Sequence, residues 1–392
     1  MSAVHLLNPE SKSYNYVVPS MSEIPPHITV ALDIDLEAIV HNYRQTQSIL
    51  APHCAIAGVV KADAYGLGMK AVATTLWRQG CHQFFVAFIE EGMKLRAVLP
   101  HASIYVLSGV LPQTEEIFLK DRLTPVLVDQ CQVKRWQTYA QRQSITLSAV
   151  LHVDTGMSRN GLTLQEVRDL TDDPTSFQGL HLDFVMSHLA SSENLDTDQN
   201  HRQQILFEQV RRILPSAKAS LSNSSGLSLG HSYNYDLVRP GIGLLGYARP
   251  YPLAEQLRPA VKAMARVVQR HESIEGQTIG YNATYRCVRP SKLATLGTGY
   301  RDGFFWNLSS RGVVWFGDYK APVVGRVSMD FVVVDVTEIP ESLVHVGAWA
   351  TLFDTYEKAQ YLSQQAGSFH YELLTSLGSR YYRRYLKEKD TA

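Results

Sequence analysis

The sequence lacks an excess of charge of either sign. Lys and Arg together number 37, Asp and Glu together number 37, and the formal net charge is +0. Without a basic surplus there is no electrostatic ground for binding nucleic acid or an anionic membrane surface. Cysteine is scarce and scattered: Cys54, Cys81, Cys131 and Cys287 form no C-x-x-C and have no histidine at metal-ligand spacing. That pattern argues against a zinc site or a disulfide scaffold and fits reduced cysteines in a cytoplasmic protein. No apolar run reaches the length of a membrane span. The first 27 residues lack a basic start followed by an apolar core, so no secretory signal is expected. Their Ser11, Ser13, Pro19, Ser20, Ser22, Pro25 and Pro26 suggest a loose arm. Internal repeats and low-complexity tracts are missing as well.

What is present is enough for two folded domains: 392 residues, 45% hydrophobic and 19% charged. Ile28–Ala31 reads as a short strand, and Asp35 can cap a helix whose apolar stripe is Leu36, Ile39, Val40 and Tyr43. Apolar, strand-like runs then alternate with helical patterns. The strand candidates are Ala55–Val60, Phe84–Phe88, Ser103–Leu107, Thr124–Val128, Ser148–Val153, Leu180–Met186, Ala219–Ser222 and Leu237–Leu245. Eight such runs fit a closed parallel barrel better than an open sheet. Beyond Pro259 short Val-, Thr-, Tyr- and Phe-rich runs alternate with Gly and Pro, the texture of a mostly β domain. Two helical patterns, Tyr356–Gln365 and Glu372–Leu386, close the chain. The expected organisation is an arm over residues 1–27, an α/β (β/α)8 TIM-type barrel over 28–258, and a β-rich C-terminal domain over 259–392.

Polar residues gather where the expected strands end, which is where a barrel of this kind collects its active site. His188, the turn Asp154–Gly161 (DTGMSRNG), Asn223-Ser224 and Arg239-Pro240-Gly241 all fall there. So does Lys61, in VVKADAYGLG. A lysine in apolar surroundings loses proton affinity and becomes a nucleophilic amine able to condense with an aldehyde. Taken alone, a lysine snorkelling from a strand end explains Lys61 at least as well. A lone histidine after an apolar strand, such as His188, is more often structural, and Ser224 and Tyr371 could equally be surface and core residues.

VVKADAYGLG resembles the pyridoxal-phosphate lysine motif of alanine racemases, and DTGMSRNG, VMSHLA, NSS, VRPGIG, GYNATY and SMDF follow in that family's order. The resemblance runs from about Thr29 to Tyr385 and implies an enzyme that interconverts L- and D-alanine, supplying D-alanine for peptidoglycan. It implies that Lys61 bonds the cofactor and acts as one base. Tyr281 would be the second, its phenol, ordinarily near pKa ~10, assisted by His188 and Arg239. Arg239 would meet the pyridine nitrogen, as opposed to the acidic residue of related decarboxylases. Tyr65, Ser224, the backbone of Gly241 and Ile242, and Tyr371 would hold the phosphate. Arg159 would contact the cofactor's phenolic oxygen and the substrate carboxylate, helped by the Met329 N–H with Asp330 beside it, while Tyr300 narrows the entrance. For Asp330 an ordinary turn or ion pair is as good a reading.

A head-to-tail homodimer is also implied, with Tyr281 and Met329 crossing the interface. Two positions depart from the family's commonest pattern. Leu67 stands where a histidine is common, and His152 stands where many members carry a carbamylated lysine that positions the arginine. A histidine forms no such carbamate, so another anion, for example chloride, or a direct contact is expected to orient Arg159. The alternatives are a racemase of serine or another small amino acid, and a non-catalytic pyridoxal-phosphate binding protein. Such binding proteins are usually a barrel alone, so the expected β domain bearing Tyr281 argues against the second.

Overall fold

The fold is described from a computed structural model, which covers residues 24–214 and 216–386. Residues 1–23 of the expected arm lie outside the described residues.

Eight parallel strands form the barrel: β2 (Ala55–Val59), β3 (Gln83–Val86), β4 (Ser103–Val106), β5 (Thr124–Leu127), β6 (Leu147–His152), β7 (Leu180–Met186), β8 (Lys218–Ser220) and β9 (Leu237–Val238). They pair in sequence order from β2 to β8, and β9 lies beside β2. The seam between β8 and β9 is closed by the bond from Arg239 N–H to the Ser222 carbonyl, 3.0 Å, and by a parallel bridge between Asn223 and Arg239. Helices cover the outside, which is why the strands read as apolar without alternation. The inside is equally dry. Ala57, Phe85, Tyr105, Val126, Val150, Phe184, Met186 and Leu237 form a separate apolar cluster within the ring. Tyr105 packs 5.0 Å from both Phe85 and Phe184, centroid to centroid. A barrel filled in this way leaves its mouth as the place for a ligand.

The sequence left several elements incomplete. The expected strand at Ile28–Ala31 is β1 (Val30–Asp35), and it does not join the barrel. It pairs antiparallel with β10 (Val261–Ser273) and parallel with the final strand Tyr382–Leu386. The expected domain span 28–258 therefore includes a strand that hydrogen-bonds into the C-terminal sheet. The closing helix expected over Glu372–Leu386 is instead a short helix, His370–Thr375, a break around Gly378, and that final strand. The strand expected over Leu237–Leu245 stops at Val238, because Pro240 and Gly241 turn the chain into a compact loop closed by Leu244 N–H to Gly241 O. A short helix, Glu115–Lys120, has no apolar stripe of its own and was not expected. The second domain is otherwise β-rich, built on β10 with the strands Ser291–Leu296, Val313–Phe316, Val332–Asp335 and Trp349–Phe353.

Asp35 does cap the first helix, Leu36–Ser48, accepting from Ala38 N–H at 2.9 Å. Asp35→Ala removes that acceptor, and we expect a loss of about 1 kcal/mol in urea unfolding, with the denaturant slope unchanged.

Candidate active site

Lys61 follows β2 and heads a segment with an unusual backbone. Ala62, Asp63 and Ala64 have φ of 52°, 54° and 53°, and Tyr65 has φ 57°. Four consecutive non-glycine residues thus lie in the left-handed region, each at a cost of about 1–2 kcal/mol. Such a run is kept only by bonds from surrounding elements. Its result is that the Lys61 amine and the Tyr65 ring both reach the barrel mouth, where they line one cavity.

That cavity measures about 180 Å³, smaller than the roughly 300–1,000 Å³ of drug-sized ligand pockets, and so suits a small molecule. Lys61, Tyr65, Arg159, His188 and Arg239 line it. Ser224, Gly241, Ile242 and Tyr371 complete one side. These nine residues come from five strand ends, the loops after them and one helix of the second domain.

The charge pattern begins with Arg239, 4% exposed. Its guanidinium donates to the Ser220 hydroxyl, to the Ser187 carbonyl at 2.5 Å and to the Leu221 carbonyl at 3.2 Å. No carboxylate pairs with it among the described residues. Burial lowers its pKa to about 9, which leaves it charged at neutral pH. Around this cation other groups tend to lose protons. Burial, then Arg159, lower the Lys61 pKa, against the opposing pull of Glu91. Burial and the positive neighbours Arg239 and Arg159 push His152 down to about 4, with Asp154 opposing. His188 is held well below its ordinary value by burial and by Arg239, His152, Arg159 and Lys61. Both imidazoles are neutral at pH 7. A neutral His152 cannot supply the negative charge of a carbamate beside Arg159.

On the opposite side the site is built for an anion. The Ser224 hydroxyl accepts from Gly241 N–H and Gly243 N–H, each at 3.1 Å, so its own proton points elsewhere. The Ile242 N–H between them has no intramolecular acceptor among the described residues. Gly241 is required by close approach: a Cβ there would lie 2.3 Å from the Tyr65 hydroxyl. Tyr65 in turn meets Tyr371 edge to face, ring centroids 6.3 Å apart. The Ile242 N–H and the Ser224 hydroxyl, after the last two barrel strands, thus share one side of the cavity with the Tyr65 and Tyr371 phenols, a set of neutral donors suited to an anion such as phosphate. Arg159 is carried by a turn whose form is set by Asp154: its carboxylate accepts from the N–H groups of Gly156, Met157 and Ser158 at 2.8–3.1 Å.

The remaining expected residues are not brought to this cavity within one chain. Tyr281 (68% exposed), Tyr300 (44%) and Met329 (52%) lie on the surface of the second domain. Their loops interlock, with Tyr300 N–H bonded to Ser328 O and Arg301 N–H to Met329 O, while Gly280 approaches the backbone of Gly325 and Arg326. Asp330 is engaged by Arg380 at 2.6 Å, and that arginine also grips the buried Asp302 with two bonds of 2.7 Å. Sequence reasoning overlooked Asn160, Phe85 and Leu107 in the lining, and Glu193, which hydrogen-bonds Tyr371. Asn160 sits in the DTGMSRNG turn already marked by its motif, but no local signal marks the others, since each is an ordinary residue until the strand ends converge.

Residues 34–249 match the family model for the alanine racemase N-terminal domain, and residues 260–385 that for the C-terminal domain. The chain belongs to the alanine racemase family. It is 38% identical over 369 residues to an alanine racemase of Brucella ovis, covering 91% of this chain and 93% of the relative. It is 40% identical over 357 residues to a catabolic alanine racemase of Mesorhizobium japonicum, with the same coverage of 91% and 93%. Among solved structures, the Bartonella henselae alanine racemase with covalently bound pyridoxal phosphate superposes with a TM-score of 0.86 at 38% identity, over 91% of this chain and 99% of that one. The biosynthetic alanine racemase of Pseudomonas aeruginosa gives 0.83 at 30% identity, over 92% and 100%. In this alanine racemase family member the expected fold is therefore present in both halves.

A buried histidine with a depressed pKa makes the folded state bind fewer protons than the unfolded one between the two values. Its stabilising contribution is complete above the unfolded pKa, near 6.5, and is lost as pH falls toward about 4. We expect His152→Asn to flatten the fall in stability between pH 6.5 and 4, by on the order of 2–3 kcal/mol, measured by urea unfolding at a series of pH values.

Proposed function

We propose that this chain is a pyridoxal-phosphate enzyme that racemises alanine, carrying the α-proton between two opposed bases. The observation that carries the proposal is a lysine with weakened proton affinity, Lys61, facing the same small cavity as the donor cradle at Ser224 and Ile242. These residues fit the cofactor: an amine for its aldehyde, neutral donors for its phosphate, and a guanidinium for its ring nitrogen. When bound, pyridoxal phosphate supplies a sink for the electron pair left at the α-carbon as the proton departs.

The chain's own residues supply the rest. Tyr65, Ser224, the Gly241 and Ile242 backbone and Tyr371 would hold the phosphate. Arg239 stays protonated and keeps its proton, so it would meet the ring nitrogen without acidifying it. Arg159, with the backbone N–H of Met329, holds the substrate carboxylate. Lys61 Nζ takes or returns the α-proton on the D side, and Tyr281 Oη does so on the L side. The neutral His188, backed by Arg239, steadies the Tyr281 phenolate. Tyr300 and Asp330 border the entrance.

A lysine in the barrel and a tyrosine exposed on the second domain are reconciled by a head-to-tail homodimer with a two-fold axis. In it, Tyr281 and Met329 complete the site of the partner. The exposed Trp306 and Phe331, beside these residues in sequence, suit the same covered face. We assign the enzyme to the cytoplasm, where its four free cysteines stay reduced, and to the supply of D-alanine for peptidoglycan. Among the described residues no helix is long and apolar enough to cross a membrane.

The test is deuterium incorporation at Cα in heavy water, with enantiomers separated, over alanine, serine and arginine. We expect alanine to exchange and racemise fastest, and Tyr281→Phe to lose roughly 10²–10⁴-fold in rate. Inert alanine beside an active serine would overturn the substrate, and an unimpaired Tyr281→Phe the second base. Mixing inactive Lys61→Ala and Tyr281→Phe proteins should restore about a quarter of wild-type activity, because in a two-fold dimer half the pairs are mixed and each holds one intact site. No recovery after subunit exchange would mean that each chain builds its own site.

A further inference from the structure

The left-handed run Ala62–Tyr65 is gripped at both ends by side chains outside the cavity. At its start, the Glu91 carboxylate accepts from Ala62 N–H with one oxygen, at 2.6 Å, and from Ala87 N–H with the other, at 2.7 Å. Glu91 sits at the beginning of the helix Ile89–Val98, which follows β3. One carboxylate therefore ties the residue after Lys61 to the end of the neighbouring strand. At the far end, Arg383 of the final strand donates to the Gly66 carbonyl from Nε and Nη2, at 3.0 and 2.9 Å. Its guanidinium also donates to the carbonyls of Leu377 and Gly378, fixing it to the loop after the short helix His370–Thr375. The Tyr385 hydroxyl adds a bond to the Leu67 carbonyl, 3.1 Å.

The close fit at this end leaves little freedom: a Cβ at Gly66, φ 84°, would lie 2.6 Å from the Leu374 carbonyl. The bonds made within the segment, Ala64 N–H to Val60 O and Gly66 N–H to Ala62 O, are both 2.9 Å. A right-handed turn offers the same number of backbone bonds without the unfavourable dihedrals. What selects the left-handed form therefore lies in the partners outside it, and those partners are directional. A carboxylate accepts two N–H groups at once, and a guanidinium offers two parallel donors to one oxygen.

We propose that Glu91 and Arg383 are positioning residues, which hold the left-handed segment and thereby aim the Lys61 amine and the Tyr65 phenol into the cavity. This rests on the assignment of Lys61 as the cofactor lysine. Glu91→Gln keeps size but leaves one amide NH2 facing a backbone N–H. Glu91→Asp keeps charge and both acceptors on a shorter stem. Arg383→Lys keeps charge but loses the paired donors.

The experiment combines hydrogen exchange of peptides covering residues 61–68 in the cofactor-free protein, the dissociation constant for pyridoxal phosphate, and kcat and KM for alanine per bound cofactor. In Glu91→Gln and Arg383→Lys we expect exchange in this segment to quicken, cofactor binding to weaken and kcat to fall, each by about tenfold or more, with KM within about twofold of wild type. Glu91→Asp should recover part of each loss. Wild-type exchange across 61–68 together with wild-type kcat, even with a lowered melting temperature, would overturn the proposal and leave both residues as general stabilisers. If Glu91→Gln does not fold, Arg383→Lys is read by the same three measurements and the same outcomes decide. A chain that binds no pyridoxal phosphate would overturn the functional assignment, while exchange in the cofactor-free protein still reports whether these two side chains hold the segment.

Discussion

Much of this molecule depends on one buried cation. Arg239 lies in the seam where the barrel closes, and its guanidinium joins the ends of β7, β8 and β9 through two carbonyls and a hydroxyl. A buried charge is costly unless its donors are satisfied, and here neutral acceptors satisfy them without cancelling the charge. The Phe85 ring, 5.9 Å away, adds a further favourable surface. The closure of the barrel and the electrostatics of its mouth are therefore one feature. Burial first, and then the positive charges of Arg239 and Arg159, incline His152 and His188 toward their neutral forms, while burial and Arg159 do the same for Lys61. A site already positive, with cradling N–H groups opposite, favours a ligand that brings its own negative charges.

The parts of this design that are local were legible in the sequence. Alternation of apolar runs with helical patterns marked the barrel, and polar residues just past those runs marked its mouth, because a parallel strand buried on both faces announces itself by composition. The Asp35 cap was readable for the same reason. What escaped was non-local. Nothing in Glu90-Glu91 distinguishes the carboxylate that grips Ala62 from its neighbour. The final strand read as helix, since Tyr382–Leu386 takes its conformation from pairing with β1, more than 340 residues earlier. The left-handed run after Lys61 contradicts the ordinary preferences of Ala, Asp and Tyr, so local propensity could not have suggested it.

Within one chain the mouth is half enclosed. The barrel contributes charge and cradle, while the second domain turns the Tyr281, Tyr300 and Met329 loops outward as a connected surface. The ion pairs of Arg380 with Asp302 and Asp330 stiffen that surface from behind. Division of labour of this kind lets a rigid barrel fix the electrostatics and a β domain fix the approach. The helix His370–Thr375 links the two, since it carries Tyr371 into the cradle from the second domain.

The position of β1 has a consequence for synthesis. Its sheet partners are β10 and the final strand, so the barrel is an insertion between the first strand of the C-terminal sheet and the rest of that sheet. As the chain leaves the ribosome, all eight barrel strands are available by Val238, and the barrel can collapse while β1 waits with its edge unpaired. The parallel neighbour of β1 is delivered only with Tyr382–Leu386. The same strand carries Arg383 to Gly66, so the lysine segment acquires its far anchor only after the β-rich domain has been made. Completion of the mouth is thereby tied to assembly of the C-terminal sheet.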